Sequence, residues 1–101
     1  MAQFDLFKNP RAGAYPLLLD VQTDVLSSLA TRVVVPLTPR KRYGKPITRL
    51  NPTATVQGVE YVLVFQEMAA IAVSGLGERV ASLANRRTEL VAAVDLVFTG
   101  V

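Results

Sequence analysis

Before about Ser74 the apolar residues fall in short runs, several of them at alternate positions, that proline or glycine keeps interrupting. Only a strand sends every second side chain to one face, so this pattern excludes a helical bundle over three-quarters of the chain. In QFDLFK, residues 3–8, Phe4 and Leu6 share one face and Gln3 and Asp5 the other. Asn9, Pro10 and Gly13 mark a loop. Tyr15, Leu17, Leu19 and Val21 then recur at period two, with Pro16 suited to an edge or to the start of a strand. VLSSLA is too short to assign, whereas RVVVPL is dense in β-branched residues and reads as a strand. NPTATV and VEYVLVF flank Gln57-Gly58 as a hairpin, and AAIAVS is a further strand stopped by Gly75 and Gly77.

Only near Asn85 does the spacing change. Leu90, Val91, Val94, Val97 and Phe98 recur every three or four residues, with Asn85 placed to cap a helix and Gly100 placed to end it. The order predicts a mostly β chain with one C-terminal α-helix, a small antiparallel barrel with the helix packed on one side. At 101 residues, half of them hydrophobic, it is expected to form a single domain over 1–101 without staples.

Composition narrows the chemistry. There is no cysteine and no histidine, which removes disulfides, thiolate metal sites and the commonest general base. No metal or cofactor is expected. The eight carboxylates are scattered, and Asp20 and Asp24, flanking Val21-Gln22-Thr23, suit turn capping better than acid/base work. Gly75-Leu76-Gly77 lacks the third glycine and the βαβ setting of a dinucleotide loop. The N-terminus carries Asp5 and Lys8 where a secretory signal needs an apolar core, and no apolar run is long enough to span a bilayer. A cytoplasmic protein with no membrane role is the expectation. A net charge of +3 favours an acidic partner only weakly, but Arg40, Lys41, Arg42, Lys45 and Arg49 crowd one segment around Tyr43. That segment reads as a solvated loop, a nucleic-acid contact or a groove for an acidic disordered peptide.

Several stretches together resemble a known family. YPLLLDVQTDVL followed by TRVVVPLTP is similar to the aromatic, DVQSD-like corner and R-x-V-x-P-L strand of CcdB-type toxins. MAAIAVSGLGERVASL, the opening QFDLF and the closing VDLVFTGV resemble that family's later strand, first strand and terminal helix, in the same order and over the same length. The resemblance implies a CcdB/MazF-like SH3-type barrel, with a main antiparallel sheet and a small second sheet, in a homodimer. It implies a poison rather than an enzyme, which binds the A subunit of DNA gyrase and traps the cleaved-DNA complex. DNA would be met only through gyrase or through the complex with a cognate CcdA-type antitoxin, which represses its own operon.

Carried over by position, the gyrase contacts are Thr23, Val25 and Leu26 at the corner and Asp95, Phe98, Thr99, Gly100 and Val101 at the tail. The antitoxin contacts would involve Lys8, Asn9 and Arg11 in the first loop and Arg40 and Arg42 in the basic segment. Thr99 stands where the best-known plasmid member has Trp, and Asp95 where it has Asn. Loss of the ring removes contact area. A MazF/Kid-like ribonuclease, or a non-poisoning relative that retains antitoxin binding, are the alternatives.

Overall fold

The β-branched and leucine-rich runs pair as their alternation requires. A computed structural model describes residues 2–11 and 13–101. Its strands are β1 (Asp5–Lys8), β2 (Leu17–Asp20), β3 (Thr31–Pro39), β4 (Thr53–Val56), β5 (Val59–Leu63), β6 (Ala69–Ala72) and β7 (Arg79–Ser82). All pairings are antiparallel and run in the order β4-β5-β3-β2-β1-β7, with β6 branching from β3. The small second sheet expected from the sequence is therefore hydrogen-bonded into the main one. The result is a curled half-barrel, mostly β, with one long helix near the C-terminus, as the sequence predicted.

β3 makes the branching possible. Its nine residues pair with β6 over 31–34 and with β5 over 37–39 on one side, while β2 lines the other over 34–37. Pro36 falls between the two partners, and its carbonyl accepts from Val64 N at 2.9 Å. Amide and carbonyl of one strand residue point the same way, so its missing donor faces that gap and interrupts no ladder bond to β2.

Cross-strand rows define the two faces. Leu6, Leu19 and Val35 lie side by side, as do Leu17, Leu37 and Leu63, and all are buried. Helix α2 (Arg87–Thr99) lies over this face with Leu90 and Ala93 fully buried and Val91, Val94 and Val97 half-buried against the same core. The opposite face carries Phe7, Leu18 and Pro36.

Several expectations need correction. Asp5, assigned to the solvent face, is buried and accepts an ion pair from Arg79 Nε at 3.1 Å. That partner sits on β7, a strand too short for its sequence to announce. Phe4 precedes β1 in a turn with φ 70°, held by Phe4 N to Asp20 O and by Leu83 N to Phe4 O. Asn85 does not cap α2. It lies in a 3-10 turn, Ala84–Arg86, and Arg86 instead grips Glu89 Oε1 through Nε and Nη2 at 2.9 and 2.6 Å. The basic segment, expected as a loop, contains a four-residue helix, α1 (Arg40–Tyr43). VLSSLA begins as the 3-10 turn Asp24–Leu26. Ala12, in the expected first loop, lies outside the described residues. Gln57 and Gly58 both have positive φ, 51° and 81°, which makes the β4–β5 connection a type I′ turn without the favoured Asn-Gly pair.

Candidate functional site

The corner between β2 and β3 is built almost entirely from polar contacts. Thr23 Oγ1 accepts from Val25 N at 3.3 Å and starts the 3-10 turn, none of whose residues is buried. Val25 is consequently 86 % exposed and Leu26 43 %, with Leu29 exposed just beyond. Val25, Leu26 and Leu29 thus form an exposed apolar group on an ordered turn.

Beneath the corner lies an ion pair that the sequence did not reveal. Arg32 and Asp20 are both fully buried, and Arg32 Nε and Nη2 meet Asp20 Oδ2 at 2.9 and 2.7 Å. Asp20 also accepts from Gln22 N, as capping predicted. The only sequence signal for the pair was a charged residue inside the β-branched run of β3. Gln3 ties the corner outward: its amide donates to Asp24 Oδ1 at 2.7 Å, its Nε2 to Val21 O at 3.1 Å, and its Oε1 accepts from Arg87 Nη1 at 2.8 Å. The Arg87 guanidinium lies 5.8 Å from the Phe4 ring centroid.

The tail is ordered by its own helix. Gly100 takes a left-handed φ of 76° and donates its amide to Leu96 O at 3.1 Å, closing the last turn. Thr99 Oγ1 donates back to Asp95 O at 2.8 Å, so the hydroxyl is satisfied inside the helix. Phe98 is 71 % exposed, Val101 77 %, and Asp95 faces solvent. The corner is tied to the first residue of α2, whereas Phe98 and Thr99 lie at its far end, roughly 18 Å along a 13-residue helix.

The basic candidates share one end of the sheet. Lys8 pairs across with Leu17 and Leu17 with Leu37, which places the end of β1 two strands from Pro39 and α1. Lys8 Nζ meets Glu78 at 3.1 Å and Arg40 meets Glu60 at 3.7 Å, both exposed pairs. Among the described residues Arg11 and Arg42 make no ion pair. Asn9 is committed to its loop, donating to Tyr15 O at 2.8 Å and accepting from Arg11 N at 3.1 Å. Buried Asn51 organises the segment after α1, accepting from Ile47 N and donating to Leu63 O and Gln66 Oε1. No described cluster of side chains could hold a metal ion, and no described helix is long and apolar enough to cross a membrane.

Fold and corner together describe a curled antiparallel β-sheet with one C-terminal helix and an exposed apolar turn. The sequence profile of the CcdB protein family matches residues 3–100, and the chain belongs to that family. Among solved structures, an endoribonuclease in complex with its cognate antitoxin, from a mycobacterial species, superposes with a TM-score of 0.75. It is 14 % identical, over 96 % of this chain and 93 % of that one, a likeness of fold.

Proposed function

We propose that this protein is a gyrase-directed toxin that binds the A subunit and traps the enzyme on cleaved DNA. The observation that carries the reading is the exposed apolar set Val25, Leu26, Phe98 and Val101, displayed on elements ordered by polar contacts in a CcdB-family chain. Phe98 is the kind of aromatic side chain that interfaces are enriched in, and Val25, Leu26 and Val101 would add apolar contact beside it. Thr23 shapes the corner and Gly100 the tail, while Asp95 and Thr99 border the tail surface. A twofold homodimer, as the family resemblance implies, would set two tails beside its axis and offer gyrase a twofold surface.

Neutralisation falls to a cognate antitoxin, the kind of partner the endoribonuclease neighbour is bound to. An acidic disordered segment laid along Lys8, Arg11, Arg40 and Arg42 would meet the charges gathered at that end of the sheet, and the complex would repress its own operon. The chemistry is poisoning rather than catalysis, with no cofactor and with DNA met only through gyrase or the antitoxin complex.

The fold likeness to an endoribonuclease supplies the second reading. Against it, that neighbour is 14 % identical, a likeness of fold that carries no residue role to this chain. A purified gyrase assay with plasmid DNA and ATP tests the first reading. Linear DNA from the intact protein, and none after deletion of Thr99–Val101, is the expected result. No trapping by either protein, with both folded, refutes it, and RNA cleavage under the same conditions would install the second.

A further inference from the structure

We propose that Arg32 is the positioning residue of the corner, setting the backbone of Val21–Leu26 and so the display of Val25 and Leu26 without touching the partner itself. The proposal rests on the gyrase-binding reading only for its binding arm; the ordering of the corner stands on geometry alone.

The turn Asp24–Leu26 has no buried side chain, so hydrophobic packing cannot select its conformation. Polar contacts must do it, and they converge on one guanidinium. Nη2 lies 2.7 Å from Asp20 Oδ2, donates to the Gln22 carbonyl at 3.0 Å and reaches to 3.8 Å from Asp24 Oδ1. Asp20 in turn accepts from Gln22 N at 3.0 Å, so both backbone polar groups of Gln22 are fixed by the pair. The Gln22 side chain locks back onto β3, accepting from Val33 N at 3.0 Å and donating to Thr31 O at 3.3 Å. Asp24, steadied by Arg32 on one side, receives Gln3 N on the other.

Arg32 also carries a cost that stability does not explain. Its Nη1 is buried and meets no hydrogen-bond partner among the described residues. An apolar pair of similar volume would avoid that penalty and commonly leaves a fold as stable or more so. What an apolar pair cannot do is hold Gln22 O and Asp24 at once. Lysine cannot either, because one ammonium lacks the planar fork.

The experiment compares wild type with Arg32→Met/Asp20→Leu and with Arg32→Lys. Readouts are amide hydrogen exchange by NMR, thermal melting, and affinity for purified gyrase A subunit. The expected result is a double variant with native β-sheet shifts in which the Val25 to Leu29 amides lose protection selectively. Its gyrase affinity should fall at least about tenfold, as when the apolar anchors of an interface are misplaced. Arg32→Lys should fall between the two. Retained protection at the corner, or loss spread evenly over the sheet, overturns the proposal. Lost protection with unchanged gyrase affinity overturns its binding arm. If the double variant does not fold, Arg32→Lys decides on the same readouts. A wild type that fails to bind gyrase removes the functional reading, and corner exchange still decides the role of Arg32.

Discussion

Gly77 should be the least replaceable glycine in the chain, and Gly75, two residues away, among the most tolerant. The Gly77 amide donates to Lys8 O at 2.8 Å, and Lys8 N donates to Glu78 O at 2.8 Å, so this point fastens β7 to β1. A Cβ at 77 would stand 2.7 Å from Lys8 O, 3.2 Å from Lys8 Cβ and 3.3 Å from Lys8 C. The obstruction is mostly backbone, so no rotamer change relieves it. Forcing the strands apart costs about 1–3 kcal/mol as overpacking, and losing the Gly77 bond a further ~1 kcal/mol. A total near 3 kcal/mol corresponds to roughly 12–24 °C in melting temperature for a domain of this size. At Gly75 a Cβ meets nothing within 4 Å and φ is not positive, so Gly75→Ala should be neutral or stabilising by up to about 1 kcal/mol. Circular dichroism melts of both variants at equal protein concentration make the comparison. Equal melting temperatures, within about 2 °C, would refute the argument that the β1–β7 approach depends on the missing side chain.

Leu90→Ala truncates the larger of the two fully buried side chains of α2, and should cost about 2–5 kcal/mol in urea unfolding. Phe98→Ser should move stability by less than about 0.5 kcal/mol, since the ring is exposed, yet abolish most gyrase binding in calorimetric titration. Arg40→Glu with Arg42→Glu should weaken antitoxin binding and flatten its salt dependence, with little effect on melting because the Arg40–Glu60 pair is exposed. Unchanged affinity would remove the basic segment from that interface.

The sequence was most legible where a pattern spans one element. RVVVPL, the hairpin about Gln57-Gly58 and the three-and-four spacing after residue 85 each carry their own periodicity, and each folds accordingly. What escaped were features whose cause lies elsewhere in the chain. β7 is four residues with weak alternation, and it is a strand because Asp5, Leu6 and Phe7 supply its partner. α1 lies between Pro39 and Pro46, the prolines that made the segment read as a loop. The Asp20–Arg32 pair joins two strands, and neither local sequence announces that both charges are buried. At the site, alternation alone could not mark Val25 or Phe98 as exposed; the family resemblance did. It could not supply Gln3, Gln22, Arg32 or Arg87, which act through contacts far apart in sequence.

One pairing has a consequence for how the molecule is made. β1 takes β7 as its outer neighbour, Asp5 opposite Ser82, and Phe4 and Gln3 are secured by Leu83 and Arg87. β1 leaves the ribosome well before β7 and therefore waits for it. Loop closure over that separation is slow relative to local hairpins, and synthesis at about 5–20 residues per second delays it further. A chain halted before residue 79 keeps β1 with a bare edge, Asp5 without its arginine and no helix beyond. Order at the β1 edge and at the corner beside it would thus come only with residues 79–87, all at once rather than by degrees.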